Sequence, residues 1–408
     1  MKKITNKLVG GALLFGLSMS LTSCEGALDD ILGEWSRPVQ IKECPISFSI
    51  SSKLWGTKDS KFTIDVSKKG EVTVTFSSSD PSVATVDPNT GEVTPVGVGV
   101  VDIIAKIVVD NEGEYESTTA KYTLTIEQGY SYQKWNEETG SYEQIIIHEM
   151  HELGELKASY FSGSELPGGT YIVNEDITLP VSTIRQSGDV DLILCDGKTL
   201  TINEAFFGNN GSGPYKLNVY GQSENSGKLI VKSGMGGFQP LNVYGGIIEV
   251  GEPGDTRDYR FADLFGMNIY GGKVTVFNHK DGIINSVRIK DGYKLAIYGG
   301  EMTVDTQHTG GTSSNCTGIS GDVEINDGKL TVTSVKSSST NANAINGNLT
   351  VNGGTVSLYG GPNAEQDKAV KGTITAGAGV TLEESDDATS WTTISSTSSA
   401  KKYIRTKQ

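Results

Sequence analysis

Two patterns of apolar and polar positions divide the chain. Between residues 46 and 127, short runs alternate with period two, as in Phe62-Thr63-Ile64-Asp65-Val66, Val72-Thr73-Val74-Thr75-Phe76 and Tyr122-Thr123-Leu124-Thr125-Ile126. Such alternation describes strands with one face on a core and one in water. Val101 to Val109 is more continuously apolar, as for a strand covered on both faces. Turn residues interrupt these runs at short intervals, which predicts a β-sandwich.

From about residue 166 the chain repeats itself. Leu217-Asn218-Val219-Tyr220 returns as Leu241-Asn242-Val243-Tyr244-Gly245-Gly246, Met267-Asn268-Ile269-Tyr270-Gly271-Gly272 and Leu295-Ala296-Ile297-Tyr298-Gly299-Gly300. Further copies start at Val323 and Leu349, so successive starts differ by 24, 26, 28, 28 and 26 residues. Each copy pairs a strand with a Gly-containing corner and a second alternating strand, such as Lys273-Val274-Thr275-Val276. A third apolar patch follows in several copies, as in Gly318-Ile319-Ser320-Gly321 and Ala344-Ile345-Asn346-Gly347. Three short strands at a period in the twenties predict a parallel β-helix, because one copy cannot bury its apolar side but a stack of copies can. Right-handed winding is the default for parallel crossovers. About eight coils rising roughly 4.8 Å each are expected. A leucine-rich repeat is excluded because no helical segment or asparagine column follows each strand. The fold class is therefore all-β, a β-sandwich followed by a right-handed parallel β-helix over residues 166–408 with a C-terminal cap. Residues 128–165 read as a connector, in which Ile145 to Phe161 is the one plausible helix and could cap the β-helix.

Family resemblance sharpens the first half. Ser78-Ser79-Asp80-Pro81-Ser82-Val83-Ala84-Thr85-Val86-Asp87, continuing as Gly91-Glu92-Val93-Thr94-Pro95-Val96-Gly97-Val98-Gly99, closely resembles the bacterial immunoglobulin-like group 2 domain. That resemblance implies an immunoglobulin-like sandwich over 46–127 serving as a spacer or adhesion module. The Gly-rich repeats resemble the β-helical modules of Bacteroidetes surface lipoproteins labelled carbohydrate-binding.

The N-terminus changes the expected location. Lys2, Lys3 and Lys7 precede an apolar stretch from Leu8 to Leu17 that is short for a permanent span. Leu21-Thr22-Ser23-Cys24 follows and resembles a lipobox. Residues 1–23 then form a lipoprotein signal peptide, Cys24 is the lipidation site and 24–45 is a tether. Glu25, Gly26, Asp29 and Asp30 are similar to surface-export signals of Bacteroidetes lipoproteins. The expected location is the outer membrane, lipid-anchored and at the cell surface, with the periplasmic face as the alternative.

Charge narrows the partners. The chain carries 34 basic and 49 acidic residues, net −15, and loss of three Lys with residues 1–23 makes this −18. Such a surface argues against nucleic acid. Cys44, Cys195 and Cys316 show neither a disulfide framework nor metal spacing. No cofactor is expected. His148 and His151, three apart, would share a helical face, but a solvated face is the better reading than a metal site. Arg288-Ile289-Lys290 matches a cationic motif of polygalacturonase-like enzymes without that family's acidic motifs, and Asp255, Asp258 and Asp263 alternate with Arg257 and Arg260. Catalysis is therefore not expected.

One column is more suggestive. With Leu and Val inward, Asn218, Asn242 and Asn268 face outward together with Tyr220, Tyr244, Tyr270 and Tyr298. An exposed aromatic stripe flanked by amides suits a sugar chain, whereas a self-packed ladder would merely stabilise the corner. The expected function is adhesion or glycan binding by the β-helix with the sandwich as spacer. A polysaccharide lyase or hydrolase and a purely structural or protein-binding rod are the alternatives.

Overall fold

The computed structural model describes residues 45–68, 72–108, 118–153, 164–179, 183–209, 213–253, 260–278, 284–308, 316–336, 342–361, 368–395, 397–399 and 401–407. Cys24 and Cys44 lie outside the described residues.

The first unit is a sandwich built on a four-stranded sheet of Ser52–Gly56, Thr119–Glu127, Gly99–Val108 and Thr73–Ser78. Ser52–Gly56 pairs parallel to Thr119–Glu127, and the other neighbours are antiparallel. The expected doubly covered strand alternates instead. Val101, Ile103, Ala105 and Ile107 are buried, while Val100 and Val108 face solvent. The sheet has only one covered face there, so the extra valines gain no core. Trp55 and Tyr122 anchor the interior. At the turn after Ala84–Val86, the Asp87 carboxylate accepts the Asn89 and Thr90 backbone N–H groups at 2.8 Å each. These bonds to its charged form hold its carboxyl below the usual range.

A hairpin follows, Tyr130–Asn136 against Ser141–Ile147. This replaces the expected helix from Ile145. Ile145, Ile146 and Ile147 are β-branched and pair with Tyr132, Ser131 and Tyr130, so χ1 stiffness and cross-strand packing favour extension. His151–Glu152 is a strand as well, and residues 154–161 of the expected helix lie outside the described residues.

The second unit is a parallel β-solenoid with three strand positions per coil. The first stacks ten strands, from His151–Glu152 to Ile374–Ala376. The second contributes eight parallel strands and the third another eight. The repeat copies lie in register, with Leu217, Leu241, Met267, Leu295, Val323, Leu349 and Ile374 as successive partners. Their inward side chains form one continuous buried column with those of the other two sheets. The last residue of each corner explains itself: Gly246, Gly272, Gly300, Gly328 and Gly354 all have φ between 66° and 79°. Only glycine takes that conformation without a steric penalty. At the far end Tyr403–Thr406 pairs antiparallel with Thr355–Tyr359, so the parallel stack is closed by a strand of reversed direction.

Candidate functional site

The tyrosine column forms as the repeat requires. Tyr220, Tyr244, Tyr270 and Tyr298 stack with ring centroids 4.9, 4.9 and 5.0 Å apart and planes within 9° of parallel. It is not an open stripe. Tyr220 and Tyr270 are buried, and Tyr244 and Tyr298 are half-buried. The connector hairpin lies over the ladder. Tyr132 meets Tyr220 edge-on at 4.8 Å, and Trp135 covers Tyr270 at 5.9 Å. The Tyr142 hydroxyl donates to the Tyr244 carbonyl at 2.9 Å, and the Tyr270 hydroxyl donates to Glu137 at 2.9 Å. Burial pushes the Tyr142 hydroxyl up to about 12 and raises that of Tyr270 as well. Aromatic area exposed by a bare ladder is stabilised by a cover of similar chemistry, and the connector supplies one.

A polar cluster locks the same junction. Asp59 of the sandwich accepts the Ser131 backbone N–H at 2.9 Å and the Gln222 amide at 2.7 Å. Gln222 also donates to the Ser131 carbonyl at 2.9 Å, and Lys58 pairs with Glu152 at 2.5 Å. Burial raises the Asp59 pKa against these hydrogen bonds.

Two residues earlier on each strand, the asparagines form an amide ladder. Asn218 donates to Asp191, Asn242 to Asn218 and Asn268 to Asn242, at 2.8, 2.8 and 2.9 Å. Ala296 occupies the next step and Glu324 the one beyond. The ladder therefore ends with the Asn268 side-chain carbonyl facing a methyl group.

Beside this ladder the first sheet carries a groove of about 970 Å³. Its floor is a second outward column, one residue ahead of each inward Leu, Met or Val. It runs through Lys216, Pro240, Gly266, Lys294, Asp322 and Asn348. Pro240 and Gly266 leave the middle low. The wall rises from the loops that enter these strands. One extra residue between Phe238 and Leu241 breaks the register with Tyr215 and Leu217, and so pushes Gln239-Pro240 outward. Phe265 and Tyr293 meet edge-on at 5.6 Å, and the Gln239 amide reaches the Tyr293 hydroxyl at 3.3 Å. Tyr293 is 40% exposed, which makes it one of the most accessible aromatic residues among those described.

The charges of the groove are mostly placed by partners. Lys294 and Glu324 form an ion pair. It raises the Lys294 pKa and holds the Glu324 carboxyl below its ordinary range. Asp322 accepts both the backbone N–H and the side-chain amide of Asn348, at 2.9 and 3.0 Å. Asp189 accepts the Lys216 backbone N–H at 2.9 Å.

The remaining sequence candidates do not converge. His148 contacts the Gln128 carbonyl at 2.5 Å, and His151 packs on Tyr171 at 5.2 Å. No cluster of three or more His, Cys, Asp or Glu able to hold a metal occurs among the described residues. Arg288 pairs with Asp263, Ile289 points inward and Lys290 lies 4.2 Å over the Phe265 ring. Asp255 and Asp258 lie outside the described residues. Cys195 is a free, buried thiol that burial drives upward in pKa.

The groove residues were missed because the eye follows what repeats. Lys216, Pro240, Gly266, Lys294 and Asp322 sit at one register position yet carry four different residue types in five copies. Variation at a fixed position of a repeat is the signal that would have found them. No curated protein matches this chain. An immunoglobulin-like domain carried on a β-solenoid is the architecture of a surface or interaction module. Residues 56–119 match the family model of the bacterial Ig-like domain (group 2), the segment that forms the body of the sandwich.

Proposed function

We propose that the chain is a non-catalytic module that binds glycan in the groove of the first sheet. In this reading the Ig-like domain and its hairpin act as the mount, and Cys24 carries a lipid that holds the protein at the outer membrane. The observation that carries it is Tyr293, an accessible ring beside Phe265 above a floor of amides and charges. Pyranose faces stack on such rings while their hydroxyls bond to amide and carboxylate groups. The tyrosine ladder, covered by the hairpin, is the seat of the mount. A glycan array probed with the full-length protein and with Tyr293→Ala tests this. Retention of a glycan, weakened about three- to tenfold by the loss of one stacking ring, is expected. Silence across the array, or binding indifferent to Tyr293, rejects the groove as a glycan site. For the anchor, Cys24→Ser is expected to remove the lipid mass and release the protein from membranes.

Hydrolysis is a second reading because Asp322 and Glu324 project from one strand into the groove. Its weakness is that Lys294 favours ionised Glu324, whereas a general acid needs a raised pKa. Release of new reducing ends from a bound polysaccharide would establish it.

A further inference from the structure

We infer that the groove takes a neutral, extended polysaccharide segment laid along the solenoid axis, about one pyranose ring per coil. This deepens the glycan reading and rests on it.

Three observations carry it. The first is repeat spacing. Groove positions recur once per coil, and the coil advance is the 4.9 Å seen between neighbouring tyrosine rings. In a β-1,4-linked chain, whose bonds are equatorial and lie across the ring, each ring advances by close to that distance, so successive sugars meet equivalent backbone positions. An α-1,4-linked glucan curls away from such a line.

The second is shape. From Asp189 to Asn348 the lining passes through six coil-to-coil steps, which at 4.9 Å gives a length of about 29 Å. A volume of 970 Å³ over that length leaves a cross-section of about 33 Å². A trough so much longer than it is wide suits one extended chain. The floor strands are hydrogen-bonded on both sides, so a peptide finds no open edge to extend as an added strand.

The third is charge. Asp189, Asp322 and Glu324 stand against Lys216 and Lys294, so the groove nets −1 within a chain of net −15. Lys294 is already paired with Glu324. Polyanions such as uronate chains are therefore repelled. The acceptor oxygen of Asn268, where the amide ladder stops at Ala296, is available to a sugar hydroxyl at mid-groove.

The test is calorimetric titration of the full-length protein with β-1,4-linked oligomers of glucose, N-acetylglucosamine and mannose, two to eight units long. Maltohexaose and a hexamer of galacturonate serve as comparisons. For at least one β-linked series, affinity is expected to rise more than about tenfold from dimer to hexamer and then level off. Both comparison hexamers should bind at least about tenfold more weakly. Lys216→Ala, near one end, should weaken the hexamer and spare the trimer. Affinity that saturates at a disaccharide, or equal binding of α- and β-linked hexamers, overturns the axial arrangement while leaving glycan binding intact. Binding of galacturonate above the neutral series overturns the charge argument. Absence of any glycan binding, with capture of an extended peptide instead, overturns both this inference and the reading beneath it.

Discussion

Gly271 is a place where a single methyl group should separate the two units. A Cβ at this position would overlap the Tyr142 hydroxyl and approach the Tyr244 carbonyl to 2.8 Å. The corner itself tolerates a side chain there, since Asp327 occupies the equivalent position two coils on. The nearest obstacle at 271 is therefore the docked tyrosine, ahead of the Tyr244 carbonyl. Gly271→Ala should expel the Tyr142 hydroxyl. That forfeits its hydrogen bond to Tyr244, about 0.5–1.5 kcal/mol. It also loosens the edge-on contact with Trp135 at 5.1 Å, about another 0.5–1.5 kcal/mol. The total of about 1–3 kcal/mol corresponds to a roughly 5- to 150-fold larger open population of the hairpin. Hydrogen exchange over Tyr130–Asn136 and Ser141–Ile147 reads this directly, with the solenoid amides as an internal control. The decisive comparison is the same change in a Tyr142→Ala background, where the methyl meets only the Tyr244 carbonyl and should cost less. Equal costs in the two backgrounds would falsify the hydroxyl as the obstacle and assign it to the Tyr244 carbonyl.

Other outcomes follow from the same physics. Gly300→Ala forces a Cβ into a φ of +70° and against the Gly271 backbone, and should cost at least about 1–2 kcal/mol in urea denaturation. Gly299→Ala beside it, at ordinary φ, lets the two causes be separated. Leu295→Ala, at the fully buried centre of the column, should lose about 2–5 kcal/mol, with melting temperature as the readout. Asp59 has a raised folded pKa, so its contribution is fully present below about 3.8 and lost as pH rises through the folded value. The stability gap between the protein and Asp59→Asn should move in favour of the variant between pH 4 and 7, and a flat gap would remove Asp59 from the junction's titration.

Much of this architecture could be read from residues alone, for a physical reason. The inward Leu, Val and Ile of each coil serve one column, so period and register are written in the same letters every 24 to 28 residues. The turn that Asp87 holds through Asn89 and Thr90 is equally local. Ile145-Ile146-Ile147 misled because a helix and a strand compete on tertiary contacts, here with Tyr130 and Tyr132. The cover over Tyr220 to Tyr270 was invisible because it joins residues more than 80 apart. Exposure of a ladder depends on what else the chain lays upon it. The groove escaped for the opposite reason: it is made of positions the repeat leaves free.

The hairpin also decides how the molecule bears force. It runs along the solenoid axis, since Tyr132 meets Tyr220 while Trp135 and Glu137 meet Tyr270 two coils further on. A tug on the Ig-like domain along that axis loads the ring contacts and both hydroxyl bonds together, in shear. A tug at right angles would peel them one coil at a time. A module mounted this way holds firmly under drag along the axis and yields when pulled away from it, so the direction of the load becomes part of its strength.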